Sequence, residues 1–239
     1  MKSRMATIRA AFTLIELLVV ITMILLAMTI ALPSMMSAFR SGADAQAVNI
    51  VSATCSAARV LAFKEGLYTC VHHQLATGPK SGGGGYLAIC IRDPNTGLFR
   101  LAPGYDPQQL PGDMALGDVS SYTVDASGFK LVAGTDPGLL MCFSIVFSPV
   151  GKVVVQIEGQ PAKFDQNDPA FRTNDANTQI WDINVANPGG AGKPGSSAMT
   201  VFHYGQYLAR SAADRQTYLN QNGQFLPVNV HTGQLYPRK

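Results

Sequence analysis

The sequence predicts an α+β protein in which a long N-terminal helix, first transmembrane and then amphipathic, packs on a globular head of antiparallel β-sheet. Three observations carry this. An unbroken apolar run fills residues 12–32, and apolar residues then recur at steps of three and four as far as Leu61, one face of a helix. Beyond Gly66 short β-rich runs alternate with Gly, Pro, Asn and Asp, the pattern of strands and turns.

Residues 1–11 hold Lys2, Arg4 and Arg9 and no acid. The next segment, Phe12 to Leu32, reads FTLIELLVVITMILLAMTIAL, and Glu16 is its only ionisable residue. As a helix it would measure ~31 Å, about the hydrocarbon thickness of a bilayer. A secretory signal has a shorter apolar stretch of ~7 to 15 residues and a small-residue cleavage site after it. Here the run is longer and Pro33-Ser34 follows it. Residues 12–33 therefore read as a transmembrane helix, with the basic leader kept cytoplasmic by the positive-inside rule and the rest of the chain across the membrane.

Met36, Phe39, Ala43, Ala47, Ile50, Thr54, Ala58 and Leu61 line one face of an amphipathic helix over residues 34–65. Gly66 is its stop. Pro33 lies inside the helical pattern and marks a kink, because proline removes a backbone hydrogen bond.

Residues 66–239 form the head. Candidate strands are 68–75, 86–92, 98–101, 129–132, 140–147, 152–157, 179–185 and 199–204, with Asp93-Pro94-Asn95-Thr96-Gly97 as a hairpin loop. Residues 103–117 and 187–197 read as long irregular connections. Residues 207–222 read as a late helix with Leu208, Ala212, Arg215 and Leu219 on one face. The tail, 225–239, is a terminal strand or a docking arm.

Charge and motifs narrow the function. Without the three leader cations, 15 basic residues face 15 acidic ones. That balance argues against nucleic acid as a partner, whose footprint is a clustered basic excess, although Arg210, Arg215, Arg238 and Lys239 offer a local patch. Hydrolase, zincin and Walker A signatures are absent from the sequence, so no catalytic residue is assigned and an enzyme is not expected. On a strand over 68–75, His72 and His73 point to opposite faces, one packed and one solvated. His203 and His231 have no identifiable carboxylate or thiol partner. Asp165, Asn167, Asp168 and Asp175 form an oxygen-rich loop whose spacing fits no EF-hand. They read as turn and capping residues, with Trp181 nearby in the core. No metal or cofactor is expected.

The four cysteines, Cys55, Cys70, Cys90 and Cys142, have no zinc-site spacing. In an exported head they allow three disulfide connectivities, and a Cys70–Cys90 bridge would contribute ~3 kcal/mol in the chain-entropy account. Buried free thiols are the equal alternative.

Glu16 is what a plain anchor does not explain. A carboxylate in a bilayer costs ~2.5 kcal/mol or more and calls for a partner. Cleavage before Phe12 would create one, the α-amino group of a neighbouring copy, and that pairing would favour one axial stagger between helices.

Ala11 followed by Phe12-Thr13-Leu14-Ile15-Glu16-Leu17-Leu18-Val19-Val20-Ile21 resembles the class III signal of type IV pilins and type II secretion pseudopilins. The resemblance implies a pilin-like fold, a prepilin leader over 1–11 cut between Ala11 and Phe12 by a prepilin peptidase, and methylation of the new Phe12 amine. It places Glu16 at the family's acidic position and Pro33 at its helix-bending proline. Ala11 departs from the glycine the family favours. The run from Cys142 to Lys152 resembles the F-x-P-x-G strand, turn and strand of GspH/FimT-like minor pseudopilins. By resemblance the expected function is that of a structural subunit of a type II secretion pseudopilus, supporting protein export. It would sit single-pass in the inner membrane with a periplasmic head. Its partners would be other pseudopilins or pilins of the same filament, the peptidase and the inner-membrane assembly platform. The alternatives are a minor type IV pilin serving pilus assembly or DNA uptake, and a membrane-anchored ligand-binding or hydrolytic domain.

Overall fold

The computed structural model describes residues 14–75, 84–119, 122–125, 128–131, 141–168, 186–187, 190–211 and 213–236, with backbone alone at 33–40, 122–125 and 128–131. The protein is α+β and divides into two units, Met1–Gly42 and Ala43–Lys239. The expected strand over 179–185 and Trp181 lie outside the described residues.

Helix α1 spans Leu14–Glu65. From Leu14 to Leu32 its apolar side chains are exposed, between 82% at Leu14 and 46% at Val19. The helix assignment runs through Pro33 without interruption.

In the second unit α1 buries Ala47, Val51, Cys55, Ala58, Leu61 and Ala62. These positions are three and four apart and mostly small, so the helix backbone can approach the sheet closely. Gly66 ends the helix as expected. It adopts φ +65 and donates its amide to the Ala62 carbonyl at 3.0 Å, a left-handed cap that glycine makes without a Cβ penalty.

The larger sheet has six strands: β1 (Thr69–Leu75), β2 (Gly85–Arg92), β3 (Phe99–Leu101), β4 (Gln108–Gln109), β8 (Phe143–Phe147) and β9 (Val153–Val154). Its order is β3-β2-β1-β8-β9, with β4 also on β2, and every pairing is antiparallel. The smaller sheet orders β11 (Gln224–Pro227), β10 (Ala198–His203) and β5 (Met114–Asp118). A hairpin, β6 (Tyr122–Asp125) with β7 (Gly128–Leu131), completes the strands.

Alternation along the strands builds two cores. Val71, Leu87, Ile89, Phe143, Ile145 and Phe147 pack with α1 and with Met114, Leu116, Met199, Val201 and Leu226 of the smaller sheet. Cys70, Ala88, Cys90 and Val146 point the other way, under Ile157, Ala162 and Phe164. The larger sheet is thus covered on both faces. That corrects the expectation for the adjacent histidines: His72 and His73 do face opposite ways, but both are buried, at 1% and 0% exposure.

Two turns follow their sequence signals. Gly97, at φ +72, donates to the Asp93 carbonyl at 2.8 Å, while Asp93 Oδ1 accepts the Asn95 amide at 2.8 Å, an Asx turn. In Phe147-Ser148-Pro149-Val150-Gly151, Gly151 at φ +70 donates to the Ser148 carbonyl at 2.7 Å and leads into β9.

Two other readings are corrected, and one left open is resolved. Residues 103–117 are not irregular throughout, since β4 and most of β5 lie there. The late helix is two helices, α2 (Tyr204–Leu208) and α3 (Arg215–Asn222). Between them Ser211 donates to Asp214 Oδ2 at 2.6 Å, a local side-chain bond that competes with helix continuation. The buried face is Tyr207, Tyr218 and Leu219, and Leu208 is exposed. The start of the tail is a terminal strand, β11, paired with β10.

Candidate functional site

The residues singled out for processing and assembly, Ala11, Phe12 and Glu16, lie in the first unit. Ala11 and Phe12 fall outside the described residues. Glu16 occupies the first turn of α1, where a carboxylate meets the positive end of the helix dipole. From Leu14 to Leu32 the helix is long and apolar enough to cross a membrane. Its two threonines bond back to their own helix: Thr22 Oγ1 donates to the Val19 carbonyl at 2.8 Å and Thr29 Oγ1 to that of Leu26 at 2.7 Å. Hydroxyls satisfied this way make no demand for water, as an apolar medium requires. Glu16 is the one ionisable side chain of the stretch.

In the second unit the cysteines named as a disulfide pair come together. Cys70 and Cys90 are direct partners across β1 and β2 and are both at 0% exposure. They are free thiols in this structure, as are Cys55 and Cys142. The Cys90 thiol is hydrogen-bonded to Cys70 and buried, and both effects hold its pKa well above the ordinary value. Burial in the core pushes Cys55 up to about 12.

The histidines of β1 are structural. His72 Nδ1 lies 2.9 Å from Ser144 Oγ, its register partner on β8, and its ring lies 4.5 Å from that of Phe164, tilted by 54°. Burial lowers its pKa to about 3, helped by the neighbouring His73. His73 Nδ1 donates to the Met141 carbonyl at 2.8 Å and Nε2 accepts the Leu116 amide at 3.3 Å. Burial lowers His73 to about 3 as well, against the Met141 bond, which acts to raise it.

His203, expected to lack a carboxylate partner, has two. Its Nδ1 is 2.7 Å from Asp113 Oδ1, and its Nε2 is 3.3 Å from Asp44 Oδ1 on α1, an ion-pair distance without hydrogen-bond alignment. Partial burial acts to raise the Asp113 pKa, but the bond and charge of His203 and the Gly205 amide prevail and lower it. With both ring nitrogens facing carboxylates, no nitrogen is left to activate a hydroxyl or thiol. The cluster therefore fastens the helix to β10 and the loop before β5. Sequence separations of 69 and 90 residues hid it, as no local spacing links its members.

The carboxylates of the oxygen-rich loop are engaged by backbone amides, one on β3 and one in the loop itself. Asp168 Oδ2 accepts the Leu101 amide at 2.6 Å and Asp165 Oδ1 the Asn167 amide at 2.9 Å. Asp175 lies outside the described residues. No metal-binding group of three His, Cys, Asp or Glu occurs among the described residues.

No family model, curated protein or solved structure matches this chain.

Proposed function

We propose that this chain is a pilin-like subunit, in its closest reading a minor pseudopilin of a type II secretion system, held by one membrane helix and assembling through it. The observation that carries the reading is Glu16: a carboxylate in the first turn of a helix whose following residues to Leu32 are exposed and, apart from two threonines, apolar. Such a stretch needs lipid or other helices around it, and an acid within it marks a specific contact rather than mere anchorage. The reading orients the basic leader to the cytoplasm and the head outward, with the α-amino group of a neighbour's Phe12 as partner to Glu16. The head contributes packing and surface, not bond chemistry.

The test is Glu16→Ala. Membrane fractionation and protease resistance of the head should match wild type, while cross-linking into higher oligomers and export of a reporter cargo should fail. Unchanged oligomers and export in the variant would sink the assembly role.

A further inference from the structure

The β2–β3 hairpin and residues 157–163 enclose a recess of about 270 Å³. Its apolar floor includes Phe99 and Ile157, at 0% and 3% exposure. Two cations line it, Arg92 and Lys163, and no lining residue among those described is acidic.

Arg92 is under-used for a side chain only 24% exposed. Its Nε donates to the Gly97 carbonyl at 3.0 Å, and the guanidinium sits 5.6 Å from the centre of the Tyr68 ring. The remaining donors have only Glu158 near them, with Oε2 3.9 Å from Nη2 and its side chain 74% exposed. That is beyond hydrogen-bond reach. A guanidinium carries five N–H donors, and the two Nη groups of Arg92 are reached by solvent and open to a ligand's oxygen atoms. The Lys163 side chain makes no hydrogen bond or ion pair among the described residues.

We propose that this recess binds a carboxylate on a short apolar body, from a free small acid or from the terminal residue of a partner chain. The two Nη groups of Arg92 form a planar fork that matches a carboxylate edge. Lys163 adds a point charge, and Phe99 and Ile157 receive the apolar part. At ~30 Å³ per water the recess holds roughly nine water volumes, the scale of one amino-acid residue. Glu158 stands at its edge as a tethered competitor for Arg92. The site does not depend on the assembly reading.

The test uses the full chain in detergent micelles, titrated with N-acetylalanine and followed by calorimetry or ligand-observed NMR. N-acetylalanine should bind at least about tenfold more tightly than N-acetylalaninamide or inorganic phosphate, because the fork reads a planar anion. Lys163→Gln should weaken binding about fivefold, and Arg92→Lys by more than about tenfold, losing the bidentate geometry. Glu158→Gln should tighten it about two- to fivefold by removing the competing charge. Should Arg92→Lys disturb folding, the two exposed positions still decide. The tripeptide Gly-Gly-Ala binding more tightly than N-acetylalanine assigns the site to a chain terminus; equal binding assigns it to a free acid. Equal binding of the acid and its amide, phosphate binding as tightly as the acid, or weaker binding by Glu158→Gln would overturn the proposal.

Discussion

The amide of Leu116 donates to His73 Nε2 at 3.3 Å, so a side chain of β1 in the larger sheet bonds the backbone of β5 in the smaller one. Because Nδ1 faces the Met141 carbonyl, an acceptor, the ring must be the neutral Nδ1–H tautomer. A second proton would turn Nε2 into a donor aimed at a donor.

Acid should therefore loosen the head through β1. His72 and His73 have folded pKa values of about 3 against the usual 6.5, chiefly through burial. The unfolded chain binds protons that the folded one refuses. Stability is complete above pH 6.5 and falls as pH drops from 6.5 towards 3, by up to ~1.4 kcal/mol per pH unit for each histidine. Urea midpoints of the full chain in micelles, taken across this window, should show the slope, and His73→Gln should remove about half of it. A flat profile would contradict the neutral bracket.

Gly151 and Phe63 should be coupled. A Cβ on Gly151 would collide with the Phe63 ring of α1, and Gly151 is at φ +70. Gly151→Ala should cost ~1 kcal/mol from the left-handed backbone and up to ~1 kcal/mol more, the low end of overpacking costs, for displacing the half-exposed Phe63 ring. In a Phe63→Ala background the cost should fall towards the backbone cost, with only the flexible Arg59 side chain, whose Nε a Cβ would approach to 2.9 Å, left to move aside. Equal costs in both backgrounds, by chemical denaturation, would show that the ring is not the obstacle.

These elements divide by how local their causes are. The Gly66 stop, the 93–97 loop and the 147–151 turn are legible in sequence because each is set by a glycine and its immediate neighbours. So is the α1 stripe, although Val51, Cys55 and Ala62 extend it beyond the residues read from periodicity alone. Strand β5 escapes notice because Met114-Ala115-Leu116-Gly117-Asp118 is buried on both sides through Leu116–Val201 and Ala115–Phe202 pairing, and so shows no alternation. The Asp44–His203–Asp113 cluster and the 92/163 recess arise only when distant segments meet. Folding alone creates them.

Glu158→Asn should stabilise the head. Ile157 and Gln160 exchange amide bonds at 2.8 and 2.9 Å around Glu158 and Gly159, whose φ angles are +52 and +79. A two-residue loop with both φ positive is a type I′ turn, which favours Asn-Gly. The gain should be ~0.5–1 kcal/mol, since the long, exposed ion pair with Arg92 gives up little. Urea midpoints measure it, and a loss of stability would show that the Arg92 contact outweighs the turn.

The buried thiols should resist alkylation in the folded, reduced chain. With Cys55 pushed up to about 12 from 9, its thiolate fraction at pH 8 falls roughly a thousandfold before access is considered. Cys90 is shifted the same way by its hydrogen bond with Cys70 and by burial. Mass spectrometry after iodoacetamide should find Cys55, Cys70 and Cys90 unlabelled in the native protein and labelled in urea. Rapid native labelling of Cys55 would show that α1 leaves the core on that timescale.

If Glu16 of one copy meets the Phe12 amine of another, a Glu16→Ala subunit loses only half of its capacity to pair. It still carries its own amine and can present it to the Glu16 of a wild-type neighbour. Two variant copies meeting each other leave an amine unmatched in apolar surroundings, at a cost of several kcal/mol. Co-expression of differently tagged wild-type and Glu16→Ala chains should therefore give mixed cross-linked pairs, while the variant alone gives none. Blocking cleavage at Ala11/Phe12 in the variant partner removes the amine as well, and the mixed pairs should then disappear. Mixed pairs that survive the block would show that something other than the Phe12 amine receives Glu16. Absence of mixed pairs while wild type assembles would show that Glu16 acts within its own subunit.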